Sequence, residues 1–245
     1  MRTLARTLLT AAVVAAGLLS PSAAGAAPAD DPIGPMVVGG RPATENYSFM
    51  VYVSGCTGSL IKANWAVTAN HCTTPSSVRV GSVDRSSGGT VVSVRRAVSH
   101  PRSDIKLLEL SSSVSYAPAP IPTTSGAVGT ATRIIGWGQT CPTRGCGSAP
   151  RVANELDTSI VADSRCSGID AAYEICTNNT NGNSGACYGD SGGPQVRQVS
   201  GQWALIGVTS RSGNGSATCA TGPSIYGDLP AIRLWVNQQV GGLPS

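Results

Sequence analysis

Between Gly189 and Pro194 the chain reads Gly-Asp-Ser-Gly-Gly-Pro, which sets Ser191 among glycines. Glycine has no Cβ, so its neighbours can turn tightly, expose the serine hydroxyl and aim successive backbone N–H groups at one point. A serine hydroxyl is a weak nucleophile at neutral pH. Attack requires a base to take its proton and a further group to orient that base. Histidine suits the base, because its ordinary pKa lies nearest neutrality. The sequence contains 2 histidines, His71 and His100, and both precede Ser191.

That order selects among hydrolase chemistries. The string around Ser191 also satisfies the G-x-S-x-G elbow of α/β-hydrolases, whose triads run Ser, acid, His. No histidine follows Ser191, so that arrangement fails. The order Asp, His, Ser would need Asp30 or Asp31 before His71, or Asp84 before His100, and the first two fall in a short Pro-rich stretch that reads as a propeptide. His, Asp, Ser is met by His71, Asp104 and Ser191. His100, in Ser99-His100-Pro101, lacks the apolar strand and adjacent cysteine that flank His71 and reads as a turn histidine.

Five motifs in this order resemble the chymotrypsin and trypsin type of serine protease, in the form of a secreted bacterial member. They are Val37-Val38-Gly39-Gly40, Thr68-Ala69-Asn70-His71-Cys72, Asp104-Ile105-Lys106-Leu107-Leu108, Gly136-Trp137-Gly138 and the serine motif. The resemblance implies that Ser191 attacks the scissile carbonyl, that His71 takes and returns the proton, and that Asp104 holds the imidazole. It implies an oxyanion hole from the N–H groups of Gly189 and Ser191, and a hydrogen bond from Ser210 to the aspartate. It also implies that cleavage after Met36 frees an α-amino group on Val37, which pairs with Asp190. Such a pair would weaken in alkali, and because Met36 is neither Lys nor Arg, self-processing is expected.

The substrate pocket implied by the resemblance comprises Gly185, Ala186, Thr209, Ser210, Arg211, Ser212 and Ser224. Gly185 stands where trypsins carry Asp, and a Lys or Arg side chain buried there would find no partner. Small or medium uncharged side chains before the scissile bond are therefore expected, since Ser212 and Ser224 replace glycines and narrow the walls. Arg211 stands where an aromatic residue is usual. It reads either as a solvated surface arginine or as an attraction for acidic substrate residues, with Thr209, Ser212 and Ser224 supplying hydrogen bonds. Asn70, in place of the usual alanine, raises the question of a distorted, non-catalytic binding member.

The elements that must position these residues are legible as short β-branched runs: Phe49 to Val53, Val78 to Val80, Val91 to Val98, Ile105 to Leu110, Arg133 to Gly136 and Ala204 to Thr209. Gly, Pro, Ser and Asn separate them, which suggests an all-β barrel or sandwich. Tyr116 to Pro122 carries three prolines and serves as a connection rather than a central strand. Ile232, Trp235, Val236 and Gln239 share a helical face behind Pro230, so one terminal helix is expected. The resemblance makes the fold two Greek-key six-stranded β-barrels, over 37–122 and 123–229, followed by a C-terminal α-helix and tail over 230–245.

Arg2 and Arg6 precede an apolar run from Leu8 to Leu19, and Ala24-Gly25-Ala26 offers a small-residue cleavage site. Residues 1–26 read as a secretory signal peptide and 27–36 as the propeptide. The apolar run falls short of the roughly 20 residues that span a bilayer, so no membrane anchor is expected. In an exported chain, 8 cysteines suggest four disulfides. The resemblance pairs Cys56 with Cys72, Cys187 with Cys219, and Cys166 with Cys176. That leaves Cys141 and Cys146 to each other; relatives often bridge this region to a cysteine just after the serine motif, where Arg197 stands here. The net charge of +4 comes from singly scattered basic residues, which gives nucleic-acid binding no support. No cofactor or metal is implied, and no carboxylate cluster argues for calcium. The partners implied are protein or peptide substrates and protein protease inhibitors of a secreted, extracellular monomer.

Overall fold

A computed structural model describes residues 37–244; the signal peptide and propeptide read from the sequence lie outside the described residues. The strands are β1 (Arg41–Pro42), β2 (Met50–Val53), β3 (Cys56–Lys62), β4 (Trp65–Ala69), β5 (Ser77–Val80), β6 (Thr90–Ser99), β7 (Ile105–Leu110), β8 (Ala131–Gly136), β9 (Asn154–Ser159), β10 (Glu174–Thr177), β11 (Pro194–Val199), β12 (Gln202–Ser212) and β13 (Ser224–Asp228). Strands β2-β3-β4-β7-β6-β5 close into an antiparallel barrel. In β5 the alternation of half-exposed Ser77 and Arg79 with buried Val78 and Val80 gives the barrel an inner and an outer face. Ser54 and Gly55, at φ 37° and 89°, form the two-residue turn between β2 and β3. Positive φ at both positions matches the strand twist and fixes the register that opposes Val53 to Cys56.

The second half forms a seven-stranded sheet in the order β1-β9-β8-β11-β12-β13-β10. The expected barrel is joined by this second sheet, to which β1 adds at Asn154 and Glu155, the start of β9. Around and beyond the end of β9 the chain returns to β10 through the Ile160–Thr177 bridge, flanked by the Asn178 amide donating to the Ser159 carbonyl and the Val161 amide to the Cys176 carbonyl, both at 2.9 Å. All six apolar runs lie in or overlap strands. Tyr116 to Pro122 carries none, as its prolines require.

Among the described residues the one α-helix, α1 (Arg233–Gln239), turns Val236 inward and leaves Leu234 exposed. Trp235 packs edge-on against His100 at 4.8 Å between ring centroids, and His100 Nδ1 accepts a hydrogen bond from the Ser103 amide at 2.9 Å. His100 is thus a packed turn residue. Past the helix end, Lys62 Nζ donates to the Val240 carbonyl at 2.7 Å, a cation at the negative pole of the helix. Disulfides join Cys56–Cys72, Cys141–Cys146, Cys166–Cys176 and Cys187–Cys219.

The segment that follows Val37 is held to the second sheet by a buried carboxylate. Glu155, 0 % exposed, pairs with Arg41 at 2.8 Å and Arg133 at 3.3 Å. It also accepts hydrogen bonds from the Thr44 amide and hydroxyl and from Tyr47 Oη. Glu155→Gln should leave two guanidinium groups without their shared anion and cost about 3 kcal/mol in chemical denaturation. Asp157→Asn, at the exposed end of the same network, should cost under about 1 kcal/mol; equal losses would show that burial is not what makes Glu155 matter.

Candidate active site

Strand pairing places His71 beside Asp104. β4 and β7 oppose Ala69 to Ile105, so the residues just beyond, Asn70-His71-Cys72 and Asp104, emerge at the same end of the barrel. The Asn70 amide donates to the Asp104 carbonyl at 3.1 Å and the His71 amide to Asp104 Oδ1 at 3.0 Å. Imidazole Nδ1 lies 2.8 Å from Asp104 Oδ2, and Nε2 lies 2.9 Å from Ser191 Oγ. Ser210 Oγ donates to Asp104 Oδ2 at 2.7 Å. The Cys56–Cys72 disulfide ties the loop carrying His71 to the start of β3. The Asn70 side chain accepts from Ser99 Oγ at 2.5 Å, turned to the end of β6, and the imidazole keeps its contacts.

The electrostatics follow from these contacts. The hydrogen bond to Asp104 raises the His71 pKa, against burial and the nearby Lys106 cation, which lower it. Burial pushes the Asp104 carboxyl up, but hydrogen bonds from His71 and Ser210 outweigh it and hold the group below its ordinary value. Lys106 escaped notice in the sequence, although a lone charge in the run Ile105–Leu108 was the available signal. Its Nζ donates to the Cys72 carbonyl at 2.6 Å, and burial lowers its pKa.

The serine turn is set by bonds to both halves of the molecule. The Thr57 amide of β3 donates to the Ser191 carbonyl at 2.8 Å, the Gly192 amide to Thr209 at 2.8 Å and the Gly193 amide to Asp190 at 2.7 Å. The amides of Gly189 and Ser191 donate to no acceptor among the described residues, and both residues line the cleft. Gly192 has φ 81°, and a Cβ there would collide with the Thr57 carbonyl and the Thr68 hydroxyl. Glycine is obligatory at that position.

Asp190 is buried beneath this turn. Its carboxylate accepts from the Gly138 amide at 2.8 Å and the Cys187 amide at 2.9 Å. A Cβ on Gly136 or Gly138 would overlap the carboxylate, which explains the Gly136-Trp137-Gly138 motif. Burial pushes the Asp190 pKa up to about 6. Val37 and Asp190 line one small cavity with Ile134, Ile135, Thr209 and Tyr226. Met36 precedes Val37, so in the uncut chain its nitrogen is an amide.

A cleft of about 610 Å³ opens at Ser191 and His71. Ala186, Thr209, Ser210, Arg211, Ser212 and Ser224 line it, and among the described residues no Asp or Glu does. Gly185 does not line it; its amide donates to the Val38 carbonyl at 2.9 Å, and a Cβ there would sit 3.7 Å from Ser224 Oγ. Two hydroxyls expected to meet substrate are already engaged. Thr209 donates to the Gly193 carbonyl at 3.0 Å and Ser212 to Asn214 at 2.6 Å.

Arg211 is exposed, as its surface reading expects, but its charge is already matched. Its guanidinium is held by both oxygens of Glu174, whose side chain is 8 % exposed, and by the Gly168 carbonyl at 2.9 Å. It is neither a free surface charge nor a free anion receptor. Glu174 lies 37 positions away, and no local signal marks it.

Residues 37–236 match the family model described as Trypsin. Over 237 residues the chain is 30% identical to "Trypsin 5G1" of Aedes aegypti, covering 84% of this chain and 85% of that protein. Over 202 residues it is 33% identical to "Trypsin alpha" of Drosophila melanogaster, covering 74% of this chain and 76% of that one. Both relatives are insect proteins and lend no support to a bacterial attribution. With five motifs, a closed barrel with a second sheet, and a family match spanning both, the chain belongs to the trypsin family of serine proteases.

Proposed function

We propose that this protein is a secreted serine endopeptidase that cleaves through an acyl-enzyme, with His71, Asp104 and Ser191 as its triad. The observation that carries this reading is the unbroken hydrogen-bonded line from Ser210 through Asp104 and His71 to Ser191 Oγ, beside two amides with no acceptor among the described residues. Ser191 Oγ bonds to the scissile carbonyl carbon while His71 Nε2 takes its proton. The carbonyl oxygen becomes an oxyanion that accepts from the Gly189 and Ser191 amides, each worth about 3 kcal/mol in the transition state. The C–N bond then breaks, and His71 returns the proton to the leaving amine. Water repeats the sequence on the acyl-enzyme and frees Ser191. Asp104 keeps the imidazole in one tautomer and stabilises its charged form.

Ala186, Ser212 and Ser224 are small, and no Asp or Glu among the described residues lines the cleft, which favours small or medium uncharged residues before the scissile bond. The engagement of Arg211 by Glu174 removes the support for an acid-seeking pocket. A fluorophosphonate should label Ser191 in the chain beginning at Val37 and not in its His71→Ala variant. That chain should also cleave peptides with Ala, Val or Thr before the bond about 100-fold faster than those with Arg or Asp, since an unpaired buried charge costs several kcal/mol. Failure of the probe to label Ser191 in that chain would instead support a non-catalytic binding protein.

In the activation step, cutting after Met36 gives Val37 an α-amino group beside the small cavity that Val37 and Asp190 both line. The sign of the pH effect differs before and after the cut. A carboxyl whose folded pKa is raised from 3.8 to about 6 stabilises the uncut fold below the lower value and loses that contribution as pH rises through the higher. The loss is on the order of 3 kcal/mol. In a Ser191→Ala background, the uncut chain should weaken between pH 4 and 7 in denaturant titrations, whereas the chain starting at Val37 should not. The same slope in both would refute the Val37–Asp190 pair.

Lys106 acts on the base. Its cation lowers the His71 pKa, so Lys106→Met should raise that pKa and move the acid limb of the kcat/KM profile to higher pH. Lys106→Arg should hold the limb near its original place. An unmoved limb in Lys106→Met would confine Lys106 to a structural role.

A further inference from the structure

The cleft is lined by two arginines, and they differ in one respect. Arg211 is neutralised by Glu174, whereas Arg144 has no carboxylate within ion-pair range and no hydrogen-bond acceptor among the described residues. Arg144 is exposed, and its guanidinium lies over the ring of Tyr188, 5.0 Å from the centroid. Tyr188 immediately precedes Gly189 and is itself fixed by donating to the Ala217 carbonyl at 2.6 Å. The cation is therefore supported on the wall that ends in the amide of Gly189.

The loop that presents Arg144 is tied down on several sides. The Cys141–Cys146 disulfide closes it over a separation of 5 residues. Gln139 spans it from within, its amide donating to the Thr143 carbonyl at 3.1 Å and its carbonyl accepting from the Gly145 amide at 3.0 Å. The Cys219 amide donates to the Pro142 carbonyl at 2.9 Å, which fastens the loop to the far side of the Cys187–Cys219 disulfide. An arginine on a tied loop loses less freedom on binding an anion than one on a mobile loop. No acidic side chain among the described residues lines the cleft to compete for it.

We propose that Arg144 is a specificity-determining residue that receives an acidic side chain of the substrate flanking, but not occupying, the neutral pocket. The guanidinium offers a planar fork of donors matched to a carboxylate, and its partner arrives with the peptide. This rests on the peptidase reading. A binding measurement that needs no catalysis separates the two.

The experiment compares matched peptides that carry Glu or Gln at each of the two positions on either side of the pocket residue. In the chain starting at Val37, kcat/KM should favour Glu over Gln by about threefold or more at one of these positions, as for a partly exposed ion pair. The ratio should fall toward one in 1 M salt, where the screening length is about 3 Å. Arg144→Gln should bring the ratio to one, and Arg144→Lys should restore part of it. Fluorescence anisotropy of the same peptides with Ser191→Ala, and with Ser191→Ala/Arg144→Gln, should give the same ordering even if the wild-type chain proves inert. A Glu-to-Gln ratio of one at every position, or a ratio that Arg144→Gln leaves intact, overturns the proposal.

Discussion

The carboxylate of Asp190 lies out of reach of water directly beneath the serine turn, and the backbone around it is arranged to receive it. Two amides, of Gly138 and Cys187, donate to it, and Gly136 and Gly138 are glycines because the carboxylate fills the space a side chain would need. Burial of a carboxylate is costly unless its oxygens are satisfied, and two neutral donors leave its pKa raised. The residue that pays this cost is adjacent to Ser191. In the proposed activation step the strain is relieved by a cation from Val37, which couples the cut at the start of the chain to the order of Gly189 and Ser191.

The same economy of position governs the seam between barrel and sheet. His71 and Asp104 come from the barrel, Ser191 and Ser210 from the sheet, so the line of hydrogen bonds joining them is only as precise as the seam. Thr57 holds that seam. Its amide donates to Ser191, its hydroxyl to Gly189 at 3.0 Å, and its carbonyl accepts from Thr68 at 2.8 Å, one strand away. Gly192 packs against Thr57 and Thr68 with no room for a methyl group. A threonine that none of the five motifs contains thus holds Ser191 to the strands that lead to His71.

Features written in local sequence were legible from it. The glycines around Ser191, the order of His71 and Asp104, the prolines from Tyr116 to Pro122 and the apolar face of α1 each act over a few residues, so composition and spacing report them directly. The barrel was legible as strands, but the addition of β1 to the second sheet was not, because a two-residue strand has no period to read. Arg211 shows the limit most clearly. Its type and place suggested a charge aimed at substrate, and only the approach of Glu174 from a distant strand reveals that the charge is already matched. Lys106 lies between these cases, conspicuous in type yet interpretable only once its ammonium is seen on the Cys72 carbonyl.

What remains in the pocket bears on how selective it can be. With Thr209 and Ser212 engaged by Gly193 and Asn214, Ser224 is the one of the three expected hydroxyls left to meet a substrate side chain, and the walls otherwise offer mainly shape and neutral surface. Discrimination by shape alone is modest, about 1–3 kcal/mol for a methylene, whereas a site that hydrogen-bonds its substrate can reject an analogue far more strongly. In the proposed reading, the pocket excludes charge firmly and size only gradually, so finer selection has to come from groups at the rim. The rim is also where a rigid loop holds the one cleft cation that no carboxylate among the described residues matches. A neutral, permissive pocket beside a fixed charge divides the work of recognition between sterics within and electrostatics outside.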